Sequence, residues 1–370
     1  MLEYQIPLYR PYINYLESRN VAQCIKTKWI SSKGEFVKKF ENKFKRLFNY
    51  KYAISVNNGT AALHLAVMAL DIKNGDEVIV PALTYVATAN AVSYTGAKVV
   101  LVDINLNDWQ ISIESIKKNI TKKTKAIILV HLYGQSCDLN PIIKLAKKNK
   151  INIIEDCAEA LGSKYNNNFV GSLGEISTFS FYGNKTVTTG EGGMVVCKNK
   201  KIYKKILKLK SQGLNLASNN YYDHDVVGYN YRMTNICAAI GLAQLNKLNS
   251  IIKKKIDIFI KYKKILSKHS IRFHEQNINT RHTFWLVNIL CKSLKQKKKL
   301  MNFLKKKSIE TRPIFTPMNK LKMYSSKKNF KNSEFISNVG ISLPSYPSLK
   351  NSEISYICHQ IIKFFKRNES

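Results

Sequence analysis

The chain has 370 residues, 45% of them hydrophobic, and a formal net charge of +36. That length buries a large core, read as one large and one smaller domain. Seven scattered cysteines, with no CxxC pair and no metal-type spacing, argue against a zinc site or a disulfide framework and for a reducing cytoplasm.

No metal is expected. The N-terminal residues lack the basic-then-apolar pattern of a signal peptide, and no apolar run approaches the ~20 residues of a membrane helix, so a soluble, cytoplasmic protein is expected. The positive excess is almost all lysine, spread over surface-type positions such as Lys253 to Lys255 and Lys297 to Lys299. Without an aromatic-interleaved basic strand it does not read as a nucleic-acid or membrane surface. A positive field of this size favours an anionic substrate.

In chain order, Trp29 to Gly34 form a polar turn before a helical pattern with Phe36, Phe40, Phe44 and Leu47 on one face. Tyr52 to Val56 read as a strand, followed by Asn57-Asn58-Gly59-Thr60 and an apolar helix. Strand, Gly-Thr turn and helix start together make an anion site, because the first helical amides have no internal partner. His64, inside that helix, reads as a packed core histidine. Strand-like Val78 to Leu83 precede Thr84 to Gly96, and further strands cover Val99 to Ile104, Ala126 to Gly134 and Ile151 to Glu155. Helical stretches such as Pro141 to Lys150 lie between them, the pattern of an α/β domain with a mainly parallel sheet. Functional residues gather at the carboxyl ends of such strands, which singles out Asp156, Tyr85 and His131.

The stretch from Ser177 to Val196 holds Lys185 between two strand-like runs, with no other basic residue from Glu175 to Val196. A lysine set among glycine and threonine suits carbonyl chemistry, which needs a semi-buried amine able to lose its proton. Beyond it come a helix from Ile202 to Leu214, a loop with Tyr221, Tyr222 and His224, and the small-residue helix from Cys237. A long amphipathic run over 246–262 reads as the bridge to the second domain. The expected division is 1–248, a large α/β domain, and 249–370, a small α+β domain.

A buried-type lysine, a strand-end aspartate, a Gly-Thr anion site and a strand-end aromatic are together what pyridoxal phosphate requires. The lysine condenses with its aldehyde, the carboxylate keeps the ring nitrogen protonated, helix-start amides hold the phosphate, and the aromatic ring covers the ring plane.

The stretches PLYRPYI, WISSKGEF, NNGTAALHLA, GDEVIVPALTYVATANAV, VHLYGQSCDL, IEDCAEALGS, FSFYGNKTVTTGEGGMVV, GYNYRMTNICAAIGLAQL, IETRPIF and LPSYPSL run from residue 7 to about 348. In that order they resemble the sugar-nucleotide branch of the aspartate-aminotransferase-like (fold type I) enzymes, the DegT/DnrJ/EryC/StrS family. The resemblance implies a large domain with a seven-stranded-type sheet and a small C-terminal domain. It implies that Lys185 is the Schiff-base lysine and Asp156 the partner of the pyridinium nitrogen. It places Glu159 near the cofactor's 3-oxygen, Gly59, Thr60 and Ser180 on its phosphate, and Tyr85 over its ring. Asn230 would reach the phosphate of a neighbouring subunit, giving a homodimer with shared sites, or a tetramer built from it. Arg10, Trp29, Ser31, Tyr182, His224, Arg232 and Arg312 are assigned to the sugar and nucleotide pocket or its lining, with Trp29 as a core anchor and Arg232 as an interface ion pair for alternatives.

Related 3-dehydratases carry histidine where this chain has Lys185, so amino transfer is favoured over dehydration. The reaction implied moves the amino group of L-glutamate to C4 of a nucleotide-linked 4-keto-6-deoxyhexose, GDP-linked first, UDP- or dTDP-linked as the alternative. The family's usual Pro-x-His is Pro317-Met318-Asn319 here, so a pocket contact is expected to differ. The rival from another class is a basic, non-catalytic binding protein that keeps the fold.

Overall fold

In the computed structural model, the residues described are 4–215, 217–220, 222–274 and 276–367. Seven strands form the main sheet, in the order β1 (Tyr52–Val56), β9 (Gly193–Cys197), β8 (Ile176–Ser180), β5 (Asn152–Asp156), β4 (Thr124–Val130), β2 (Glu77–Pro81) and β3 (Lys98–Val102). All run parallel except β9, which is antiparallel to both neighbours. The central strands are buried along almost their whole length, as apolar runs covered on both faces must be.

A second sheet has the order β10 (Arg272–Phe273), β12 (Val287–Leu290), β14 (Gly340–Leu343), β13 (Arg312–Pro313), all antiparallel. A small third sheet joins β11 (Thr280–Arg281) to β6 (Lys164–Tyr165) and β7 (Asn168–Phe169). The core around the second sheet draws on residues from Ile258 onward and on Ile6, which pairs with Ile309. The N-terminal segment thus crosses to the C-terminal part of the chain.

The helix Glu35–Phe48 buries Phe36, Phe40, Phe44 and Phe48. The strict four-residue spacing selects Phe48 for the buried edge, and Leu47 is only half-buried. Thr84 to Gly96 contain a short helix, Ala87–Ser93. The helix expected over 202–214 is Lys200–Leu209; it stops before Gln212 (φ 64°) and Gly213 (φ 76°), whose left-handed backbone cannot continue it. The lysine runs are not all surface. Lys255 is fully buried, its Nζ donating to Ser345 O at 2.8 Å, and Lys297 is buried with its amine on Ser337 O at 2.5 Å. Among the described residues no helix is long and apolar enough to cross a membrane.

Candidate active site

At the carboxyl ends of β4, β5 and β8 lies a cavity of about 840 Å³. Its floor is set by strand alternation. Val130 and Asp156 are register partners on β4 and β5, and both line the cavity. The residues beside them, His131 and Glu155, point the other way.

Asp156 is 4% exposed. Its Oδ2 accepts from the Thr88 hydroxyl at 2.9 Å and its Oδ1 from the Ala158 N–H at 3.1 Å. Burial pushes its pKa up, against those two donors and the charge of Lys185. Glu159 is also buried, with Oε2 accepting the Tyr133 N–H at 2.7 Å. Burial raises it to about 7, opposed first by Lys185.

Lys185 follows β8 in a loop closed by its own N–H on Tyr182 O at 2.9 Å. Its Nζ lies 3.8 Å from Glu159 Oε1 and 3.9 Å from the centroid of the Trp285 ring. Burial lowers its pKa, while Glu159 and then Asp156 raise it. Burial is the largest of these influences and prevails, so the amine gives up its proton more readily than an ordinary lysine.

The phosphate-type end is built on the start of the helix Gly59–Ala69. Asn58 caps it, its side-chain oxygen accepting the Ala61 N–H at 2.7 Å. A Cβ on Gly59 would stand 2.8 Å from Ser180 Cβ, so only glycine allows helix start and strand end to approach this closely. Gly59, Thr60 and Ser180 all line the cavity. Thr178 Oγ, buried and also lining it, has no hydrogen-bond partner among the described residues.

Of the residues singled out from sequence, Gly59, Thr60, Tyr85, Asp156, Glu159, Ser180, Tyr182, Lys185 and Arg312 share this one cavity. Tyr85 is 57% exposed, tilted against Phe315 at 5.8 Å. Arg312 Nη2 donates to Glu310 Oε1 at 3.2 Å.

The others do not line it in this chain. Arg10 stands over the Tyr346 ring at 5.7 Å. Trp29 and Ser31 sit in an exposed turn held by Asn235, whose side chain donates to Trp29 O at 2.6 Å and accepts from Phe36 N at 2.9 Å. Trp29 is 56% exposed and so is no core anchor. His224 is exposed, its Nδ1 2.9 Å from Gln212 O, and Tyr221 lies outside the described residues. Asn230 is exposed, bridged to Ser211; Arg232 is bridged to Val56 and makes no ion pair among the described residues.

His131 is a correction: it faces away from the cavity and is fully buried. Its Nδ1 accepts the Cys137 N–H at 3.1 Å, so Nε2 carries the proton and meets Glu155 Oε2 at 3.1 Å. Glu155 also takes the N–H groups of Gly171, Leu173 and Gly174 at 2.6–2.9 Å. Burial pushes its pKa up, but His131 and the backbone donors outweigh it and hold Glu155 below the ordinary value. Although His131, Glu155 and Cys157 cluster within 4.8 Å, the imidazole and the carboxylate are already committed to protein partners. His64 is buried as expected, its Nδ1 3.2 Å from the Tyr231 hydroxyl. Asn319 does not line the cavity either. It is buried, and its amide donates to Glu334 Oε1 at 3.0 Å, so the departure from Pro-x-His alters packing beside the site.

Sequence reasoning missed Thr88, Tyr133, Trp285 and Phe315. The last three stack at centroid distances of 5.4–6.4 Å to form an apolar wall. A threonine repeated at i and i+4, Thr84 and Thr88, was the only local signal for the first.

The sequence model of the DegT/DnrJ/EryC1/StrS aminotransferase family matches residues 11–362. The chain is 50% identical over 361 residues to the GDP-perosamine synthase of Escherichia coli O157:H7, covering 97% of this chain and 98% of the relative. It is 44% identical over 365 residues to that of Vibrio cholerae, covering 97% and 99%. A sugar aminotransferase of Streptococcus pneumoniae superposes with a TM-score of 0.94 in its apo form, at 27% identity and covering 99% and 100%; its PLP-form gives 0.93, at 28% identity and covering 98% and 99%. A full-length match of this kind, to relatives up to half identical, makes this chain a member of the DegT/DnrJ/EryC1/StrS aminotransferase family.

Proposed function

We propose that the protein is a pyridoxal phosphate-dependent aminotransferase that moves the amino group of L-glutamate to C4 of GDP-4-keto-6-deoxy-D-mannose, giving GDP-perosamine. The observation that carries this is Lys185 Nζ in a deep cavity facing Glu159 and Asp156. The identity of the sugar and nucleotide rests on the likeness to the two GDP-perosamine synthases.

The residues fit the cofactor. The cradle that a Cβ at Gly59 would fill, the unpartnered Thr178 hydroxyl and the helix-start amides suit a phosphate. Gly59, Thr60 and Ser180 would hold that phosphate, Tyr85 would cover the ring, Glu159 would face its 3-oxygen and Lys185 would bind it covalently. Asp156, whose carboxylate is disfavoured by burial, gains most from a cationic neighbour, as a protonated ring nitrogen would be. Bound there, pyridoxal phosphate supplies the electron sink that lets an amino group leave one carbon and arrive on another.

The protein's own part is orientation and proton handling. Thr88 and Ala158 fix Asp156 in one rotamer. Lys185 Nζ takes up a proton and returns it, poised by burial against its two carboxylates. Tyr133, Trp285 and Phe315 keep water from one wall. Arg312 and Tyr182, at the exposed rim, would meet the sugar nucleotide.

A homodimer with shared sites is part of the proposal, supported by the exposed Asn230 on a segment anchored through Tyr231. So are the division at residues 248 and 249, supported by the two main sheets falling on either side of it, and a cytoplasmic location, supported by seven free cysteines. The test is incubation with L-glutamate and each of the GDP-, UDP- and dTDP-linked 4-keto-6-deoxy sugars, with product identified by mass spectrometry. Amination of the GDP sugar alone supports the proposal. Preference for another nucleotide overturns the substrate, and a colourless, inactive protein overturns the enzyme.

A further inference from the structure

Two neighbouring carbonyls in the Lys185 loop are each held by a side chain from far away in sequence. The Trp285 indole N–H donates to Asn184 O at 2.8 Å, and the Tyr9 hydroxyl donates to Lys185 O. The face of the same indole stands 3.9 Å from Lys185 Nζ. Trp285 is 4% exposed, so this contact is out of water, where a cation on a π face is strongest. Its ring cannot swing away, because it stacks on Tyr133 at 5.7 Å and 18°.

We propose that Trp285 is a catalytic residue of this site: its ring face is the resting place of the protonated Lys185 amine, and its N–H fixes the loop so that the amine returns there whenever it is free. The inference rests on Lys185 being the reactive lysine. The charged groups acting on that amine are Glu159 and Asp156; Glu191, Arg312, Tyr85, Tyr94, Tyr133, Tyr182 and Tyr231 share its cavity, and Tyr9 holds its carbonyl. Glu159 supplies one attractive contact at 3.8 Å. The indole supplies a second that adds no negative charge, so the ammonium is stabilised without burying another carboxylate beside Asp156.

The test uses the full-length protein freed of cofactor, with pyridoxal phosphate as the probe. Only the neutral amine condenses with the aldehyde: one C=N bond forms, the carbonyl oxygen leaves as water, and no redox partner is needed. The capture rate, followed by absorbance against pH, therefore reports the midpoint at which Lys185 loses its proton. Removing the ring face in Trp285→Leu should weaken proton binding roughly three- to thirty-fold, moving the midpoint down by about half to one and a half pH units. Trp285→Phe keeps a ring and loses the N–H, so its midpoint should stay near wild type while capture slows at every pH.

Should the leucine variant fail to fold, the indole itself reports. Among the three tryptophans, the emission of Trp285 should titrate with the capture midpoint, and Lys185→Met should abolish that step. A Trp285→Leu midpoint equal to wild type, or emission that does not follow Lys185, overturns the proposal. Equal capture by wild type and Lys185→Ala instead overturns the assignment of Lys185, a different failure.

Discussion

Lys185 and Lys255 are both drawn out of solvent, and their surroundings differ where it matters for chemistry. Lys185 opens on a cavity, with Glu159 at 3.8 Å, Asp156 beyond it and an indole face against its amine. Lys255 lies on the helix Leu248–Leu266 with no acid partner among the described residues; its amine donates to Ser345 O and stands 5.4 Å from the centroid of the Tyr9 ring. Burial alone pushes Lys255 down to about 7. A depressed lysine pKa is thus no mark of catalysis by itself. What separates the two is the pair of carboxylates and the open space, which turn a desolvated amine into one that can exchange protons with something bound.

The strongest way to break this contrast is Lys185→Ala. Turnover with L-glutamate and the keto-sugar nucleotide should fall roughly 10⁴-fold or more, with loss of covalently held cofactor. A rate within tenfold of wild type would remove Lys185 from the chemistry. Asp156→Asn should lower turnover about 10²- to 10³-fold while pyridoxal phosphate still binds, since it deletes one electrostatic contact and little volume. Unchanged turnover would leave Asp156 without its assigned role.

Lys255→Met sharpens the other side of the contrast. The folded chain holds Lys255 below its unfolded pKa, so folding favours the neutral form; its stability contribution is full above about pH 10 and is lost as pH falls towards 7. Methionine does not titrate, so denaturant melts should show the variant gaining on wild type by roughly 3 kcal/mol between pH 10 and pH 7. Turnover should change by less than tenfold. A pH-independent gap would mean that Lys255 is solvated. The smallest effect belongs to Glu159→Gln. Removing the carboxylate 3.8 Å from Lys185 destabilises the ammonium, and the midpoint for pyridoxal phosphate capture should fall by about one pH unit. A rise would reverse the sign assigned to that contact.

Local pattern carried much of this. Lys185 stood out because its neighbours were glycine and threonine, Asp156 because it ended an apolar run, and Gly59-Thr60 because it joined a strand to a helix. Each signal lies within a few residues of the group it marks. Strand alternation is where the reading of strand ends lost its way. His131 and Asp156 both close strands, yet side chains at successive positions face opposite sides, and His131 shares the sealed side with Glu155. Trp285 and Tyr9 had no local mark, because their importance comes from meeting Lys185 across gaps of 100 and 176 residues, and Lys255 was hidden in a run of lysines of which only it turns inward.

The Tyr9 contact has a bearing on the order in which the protein can be made. Residues 6–8 are held by the far end of the chain: Ile6 O accepts from Glu310 N at 2.9 Å, and Leu8 N donates to Glu310 Oε2 at 2.8 Å across 302 positions. These contacts of residues 6–8 therefore cannot form before residue 310 has been synthesised. Tyr9, which holds the Lys185 carbonyl, directly follows Leu8, so the segment that steadies this loop is itself tied to residues far along the chain. A complete main sheet therefore does not by itself supply every contact that holds the Lys185 loop.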